Sequence, residues 1–376
     1  MPLLAKGFRP FFLLAAAFAV AAVPTWLLAF ATNADFAAYL GPAQWHAHEM
    51  VFGFSTAVIA GFLLTAAGNW TGRETATGWA LGLLAAAWVL GRLALLLADA
   101  LPSGVAAALD LAFLPLLAAA CGRALFAAKN RRNYAFLALL SALFAANLGV
   151  HLGALGVRPE WTRLGSLVGV DLVILAIVMI GGRAIPMFTR NAARVDGIRN
   201  VPWLDRAAVL GALSIVVLDA VGRHAGIAAG ITGVVVLARM ATWGTRHTAR
   251  HPLLWVLHVG HAFVALGFLL RAVSAVPSSA ALHALTAGAI GTMTLGMMTR
   301  VTLGHTGRML AVPRSVAWGF GAVVAGALVR VIAPFMPSLY VPLVTVAGLV
   351  WSAGFAIFIA AYAGALLSPR VDGKPG

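Results

Sequence analysis

Long apolar runs separated by short polar breaks repeat from one end of the chain to the other. A helix crossing a bilayer needs about 20 apolar residues, and runs of that length fall near 8–31, 45–69, 77–99, 104–128, 133–155, 163–189, 205–223, 225–244, 254–274, 280–303, 315–334 and 340–367. Period-two alternation is absent and the runs are too long for barrel strands. The pattern predicts an all-α fold, a polytopic membrane bundle of about twelve transmembrane helices forming one integral membrane domain over residues 1–376.

Composition agrees. Hydrophobic residues make up 62% of the 376 and charged residues 10%, against roughly 25% charged in soluble domains. The net charge of +15 would suggest nucleic acid in a soluble protein. Here the basic residues gather in alternate loops: Lys6 and Arg9, Arg73, then Lys129, Arg131 and Arg132, then Arg190 to Arg206, Arg246 and Arg250, Arg308 and Arg314, and Arg370 with Lys374. Cytoplasmic loops are the ones enriched in Lys and Arg, so both termini are expected in the cytoplasm, and no nucleic-acid partner is expected. The single cysteine, Cys121, excludes a disulfide framework within one chain. The longest loop, near Asn191 to Leu204, divides the runs six and six, a layout shared with transporters, without a convincing repeat between halves.

Ten histidines are hard to place in so apolar a chain, because ionisable groups within a bilayer are costly and by default mark function. Imidazole ligates haem iron, copper and zinc. By depth, His46, His48, His151 and His283 form an outer group, and His258, His261 and His305 an inner one. His283 and His305 lie 22 residues apart, roughly 33 Å along a continuous helix, so one metal cannot take both. His46 and His48 point about 200° apart and would serve different centres. His258 and His261 share a face, as two ligands to one metal would, or as two interhelical hydrogen-bonding groups. A bis-histidine haem needs imidazoles from two helices, and His48 with His283 match in depth. Spacing alone leaves haem, copper and a proton relay open.

Other polar residues extend this set. Glu49, beside His48, is the best proton carrier, with Asp171 and Asp219 as further candidates; a salt bridge to a buried arginine is the equal alternative for all three. Arg92, Arg223, Arg271 and Arg330 stand towards outer span ends. A guanidinium fork matches a carboxylate, so haem propionates are one expected partner, above all for Arg92, and snorkelling is the other. Met293 and Met297 share a face and read as core. Trp45, Trp70 and Trp161 fit interfacial belts.

Several stretches are distinctive: Phe8-Arg9-Pro10-Phe11-Phe12, Trp45-His46-Ala47-His48-Glu49-Met50-Val51-Phe52-Gly53-Phe54, Gly61-Phe62-Leu63-Leu64-Thr65-Ala66 with Asn69-Trp70-Thr71-Gly72, and Met298-Thr299-Arg300-Val301-Thr302-Leu303-Gly304-His305-Thr306-Gly307-Arg308. Together these resemble the NnrS family of bacterial membrane proteins over the whole chain. The resemblance implies a twelve-span protein of the bacterial inner membrane that contains haem and copper and is linked to nitric oxide, in denitrification and in protection against nitrosative stress. Its motif histidines fall on His46, His48, His258, His261, His283 and His305. In architecture the chain is also similar to haem-copper oxidases and nitric oxide reductases, a likeness of fold that only raises a prior.

The expectation is therefore a haem and copper protein that binds nitric oxide, with reduction of nitric oxide as the reaction such a centre would carry. Haem, of b type, is expected on His48 and His283, with His46 or His151 at a neighbouring metal, Arg92 on a propionate and Glu49 as the catalytic acid. His258, His261 and His305 are the expected metal ligands of the inner group. Quinol is the expected electron donor. Two alternatives stay open: a haem-based sensor or metal-delivery protein without turnover, and a secondary transporter with a His/Asp proton relay.

Overall fold

The structure, a computed structural model, describes residues 1–34, 36, 39–194 and 197–374. Among the described residues ten helices are long and apolar enough to cross a membrane: α1 (Phe8–Thr32), α2 (Pro42–Thr71), α3 (Gly78–Leu96), α4 (Ser103–Ala127), α5 (Arg131–Ala154), α6 (Glu160–Ala193), α9 (Pro252–Ala272), α10 (Ser278–His305), α11 (Arg314–Phe335) and α12 (Pro337–Leu367). The two remaining expected spans fall on α7 (Pro202–Ala220) and α8 (Gly226–Ala241). α7 carries Asp205, Arg206 and Asp219 within 19 residues, and α8 is only 16 residues long. No strand occurs among the described residues. The protein is a multi-pass helical membrane bundle.

Two compact units divide the chain. The first comprises Met1–Gly169, Arg300–Met309 and Ile359–Gly376, the second Val170–Thr299 and Leu310–Phe358. They part inside α6 rather than at the 191–204 loop, of which Val195 and Asp196 lie outside the described residues.

In the first unit, α1 packs on α2, α3 on α4, and α4 on α2 and α5. Phe8, Phe11 and Phe12 are fully buried at the start of α1. Arg9 is buried beside them and donates to the carbonyls of Ala365, Leu366 and Ser368 at 3.3, 3.0 and 2.6 Å. A helix C-terminus leaves its last carbonyls unpaired, and this guanidinium satisfies them for α12. Trp45 is buried against Ala22, Ala94, Leu95, Ala98 and Ala106, with Tyr39, Leu40 and Leu101 packed on the same cluster. It belongs to the core rather than to an interfacial belt, whereas Trp70 and Trp161 are exposed. In the second unit, α8 packs on α7 and α9, and α10 on α9 and α11.

Two helices widen into π turns, Glu49–Ser55 in α2 and Ala284–Ile290 in α10. Each follows directly on a histidine, His48 and His283. The hydroxyl of Ser55 donates to the Met50 carbonyl five residues back, at 2.7 Å. π turns inside α-helices recur at functional sites because the added residue redirects the side chains around it.

Candidate metal centre

Four helices of the first unit bring polar side chains together in an otherwise apolar interior. α2 supplies His48 and Glu49, α3 Arg92, α4 Asp110, and α5 Asn147 and His151; each is at least nine-tenths buried. Asn147 and His151 stand four apart, on one face of α5. Two glycines permit the approach. A Cβ on Gly53, in the π turn, would lie 2.7 Å from Arg92 Nη1, and one on Gly91 would lie 3.0 Å from the Asp110 Cα. The Gly53 carbonyl also accepts from Trp88 Nε1 at 3.0 Å.

Asp110 is the hub. Its Oδ1 accepts from Arg92 Nη2. Its Oδ2 accepts from Asn147 Nδ2 at 2.7 Å and from His151 Nε2 at 2.9 Å, and lies 3.3 Å from His48 Nε2. The other amino group of Arg92 donates to Glu49 Oε1 at 2.8 Å. One guanidinium thus grips two carboxylates from two helices, while its face lies 5.8 Å from the Trp88 ring.

Hydrogen-bond counting shows what the cluster lacks. His151 is satisfied as a neutral ring: Nε2–H faces Asp110, and Nδ1 accepts from the Tyr39 hydroxyl at 2.9 Å. His48 is not. Its Nδ1 faces Glu49 Oε1 at 3.0 Å and its Nε2 faces Asn147 Oδ1 at 2.8 Å, both acceptors. A neutral imidazole has one N–H, so the site calls for positive charge at this ring. Formal charge agrees: Glu49 and Asp110 against Arg92 leave one negative charge in a setting where an unpaired charge is costly. A proton on the ring or a bound cation would meet it. One donor atom each from His48, Asp110 and His151 lies within 4.8 Å of the others. Two imidazoles and a carboxylate form a donor set suited to a first-row transition metal.

Beyond the cluster, Tyr39 lies in the connection before α2, and burial pushes its phenol up to about 12. The hydroxyl stays protonated at neutral pH and can either donate to His151 Nδ1 or accept from it.

Within the first unit the structure joins His48, Glu49, Arg92 and His151; the other expected residues have neighbours of their own. His46 turns away from His48 and stacks on Trp26, ring centroids 4.2 Å apart, as their spacing requires. His305 belongs to the first unit, its ring 5.7 Å from that of Phe8 and its carbonyl accepting from Arg370 Nη1 at 3.0 Å. His283 belongs to the second unit, where its Nδ1 lies 2.7 Å from the Ser279 carbonyl. The salt-bridge alternative weighed for the buried acids is what the geometry displays: Glu49 pairs with Arg92, and Asp171 and Asp219 both pair with Arg271.

His258 and His261, also in the second unit, differ sharply. His258 is held between the hydroxyls of Thr189 and Thr245, each at 2.9 Å. His261 is fully buried, its ring 4.8 Å from that of Trp243, and neither of its nitrogens has a hydrogen-bond partner among the described residues. A buried imidazole of this kind can act as a donor to a ligand.

Sequence reading passed over Asp110 and Asn147. The signal was present, since a lone carboxylate in an apolar span is a functional flag by default, but its partners stand 18, 37 and 41 residues away.

No curated protein matches this chain. The family profile described as NnrS protein matches residues 2–370, nearly the whole length, and the chain belongs to the NnrS family.

Proposed function

We propose that the His48–Asp110–His151 cluster is a transition-metal centre that binds nitric oxide within the bacterial inner membrane, in a protein whose termini both face the cytoplasm. The observation that carries this reading is three buried donors from three helices converging within 4.8 Å, one of them a histidine whose two nitrogens both face acceptors. Membership of the NnrS family supports a metal-binding membrane protein. The resemblance noted above supplies the nitric oxide, haem and copper associations.

The donor set suits copper or another single ion. It does not suit a haem held between His48 and His151, because a carboxylate oxygen stands between those rings, 3.3 and 2.9 Å from them. No step is therefore derived through haem at this pair. A copper ion held by these three residues would supply an open coordination position for a diatomic ligand.

The surrounding residues have definable tasks. Arg92 fixes Asp110 and Glu49, so neither carboxylate can swing away. Glu49, on the opposite nitrogen of His48, orients that ring through Oε1 and can hold a proton at Oε2, the oxygen with no hydrogen-bond partner among the described residues, as a reaction consuming protons requires. Tyr39 reports the His151 tautomer: it donates to Nδ1 when Nε2 carries hydrogen, and accepts from it when Nε2 ligates. Such outer hydrogen bonds set ligand orientation and basicity.

The test is metal analysis of the purified protein with nitric oxide titration. Stoichiometric metal in the wild type, lost in His48→Ala and in His151→Ala, supports the centre. Equal metal content in all three removes it.

A further inference from the structure

The second unit contains another arginine gripped by two carboxylates, without histidines. Arg271, one residue from the end of α9, donates through Nη1 to Asp171 Oδ1 at 3.2 Å and through Nη2 to Asp219 Oδ2. Asp219 stands one residue from the end of α7, and Asp171 lies in α6. The side chains of Asp171 and Asp219 are 1% and 5% exposed, that of Arg271 19%.

We propose that this triad is a proton-binding site, with one proton resident on the Asp171–Asp219 pair at neutral pH. Two carboxylates face a single guanidinium, leaving one negative charge uncompensated. In the first unit the equivalent excess faces two imidazoles that can accept a proton or a metal. Here none is present, and two acids sharing one site cannot both stay ionised when one can take a proton instead. A separate observation places the vacancy: Asp171 Oδ2 is buried with no donor facing it among the described residues. An ionised carboxylate would leave that oxygen charged and unserved, whereas a proton there can be shared with the Asp219 carboxylate beside it.

Among the described residues, the unit's other ionisable groups are engaged elsewhere or lie further along their helices. On α10, which also packs on α9, His283 Nδ1 lies 2.7 Å from the Ser279 carbonyl, and Arg330 of α11 donates to Ser279 Oγ and to the Tyr340 hydroxyl. The remaining ionisable groups of α6, α7, α8 and α9 within this unit are Arg183 and Arg190, Asp205 and Arg206, Arg239, and His258 and His261. Each lies ten or more residues along its helix from the triad residue or the helix end at that level, roughly 15 Å or further. The turn before α8 carries Arg223 and His224, both exposed, and the His224 Nδ1 accepts from the Gly226 amide at 3.2 Å. Arg271 reaches solvent at the ends of α7 and α9, so the site can exchange its proton with water on that side. It requires no metal and does not depend on the centre in the first unit.

Infrared spectroscopy of the full-length protein in lipid reads the proton directly. The expected spectrum at neutral pH has a protonated-carboxyl carbonyl stretch that shifts in heavy water and vanishes in Asp171→Asn or Asp219→Asn. Persistence of every such band in both variants, with loss of carboxylate absorbance only, overturns the proposal. So does a carboxylate band in place of the acid that responds to sodium at constant pH, which would assign the site to a monovalent cation. Stability gives a second reading. Asparagine stands in for a neutral carboxyl, so each single variant should melt like the wild type, and the double variant, which strands Arg271, should melt lower. Single variants as unstable as the double would also overturn it.

Discussion

Asp110 holds His151 through a 2.9 Å bond from Nε2 to Oδ2, while its other oxygen belongs to Arg92. The imidazole is thereby tied, through one carboxylate, to a guanidinium two helices away. Replacing Asp110 acts on both. Asp110→Asn keeps the volume and removes the charge, and is expected to abolish metal binding. Asp110→Ala should also destabilise the protein by about 3–5 kcal/mol, the range for breaking a buried ion pair. Metal analysis and thermal unfolding in detergent or lipid check the two effects separately.

Arg92 should be intolerant of lysine. A lysine ammonium is a compact point charge, whereas the guanidinium fork reaches Glu49 and Asp110 at once, and such sites do not accept the exchange as conservative. Arg92→Lys is expected to lower the melting temperature clearly, and Arg92→Gln more so. Adding Glu49→Gln to Arg92→Gln should recover part of the loss by removing one stranded charge. A double variant no more stable than Arg92→Gln would count against the shared grip.

Gly53 is required by space rather than by backbone angle. A methyl group there would stand 2.7 Å from Arg92 Nη1 and 2.9 Å from the Phe18 ring. Gly53→Ala should therefore weaken metal binding through a displaced Arg92, although it touches no ligand. Metal affinity equal to that of the wild type would show that the guanidinium moves aside without consequence.

Tyr39 allows a finer test. Tyr39→Phe preserves the packing on Trp45 and deletes the hydroxyl at His151 Nδ1, and should reduce metal affinity about 10- to 100-fold, as loss of an outer hydrogen bond does. The phenol is raised from 10.0 to about 12 by burial. The folded state thus holds this proton where the unfolded chain releases it. Stability from Tyr39 is full below pH 10 and falls as pH rises towards 12. A melting curve against alkaline pH should lose that component in Tyr39→Phe.

The membrane bundle could be read almost entirely from the length of the apolar runs, because lipid imposes one helix per run. The centre could be read only in part. His48, Glu49, Arg92 and His151 stand out, since each is a polar group with no business in hydrocarbon. Their grouping does not, because depth along a span leaves the rotation about the helix axis open. His48 faces α4 and α5, where Asp110 and Asn147 wait. The π turns are equally hidden: Glu49–Ser55 and Ala284–Ile290 carry no residue that forbids an ordinary α turn.

The bond from Arg9 to the end of α12 bears on how the chain is made. The acceptors of this guanidinium are made more than 350 residues after Arg9 itself. Until they are in place the guanidinium needs other acceptors, and lipid headgroups can serve. Anchoring of α1 therefore waits on Ala365 to Ser368, and a truncation before Ala365 is expected to leave α1 without this anchor.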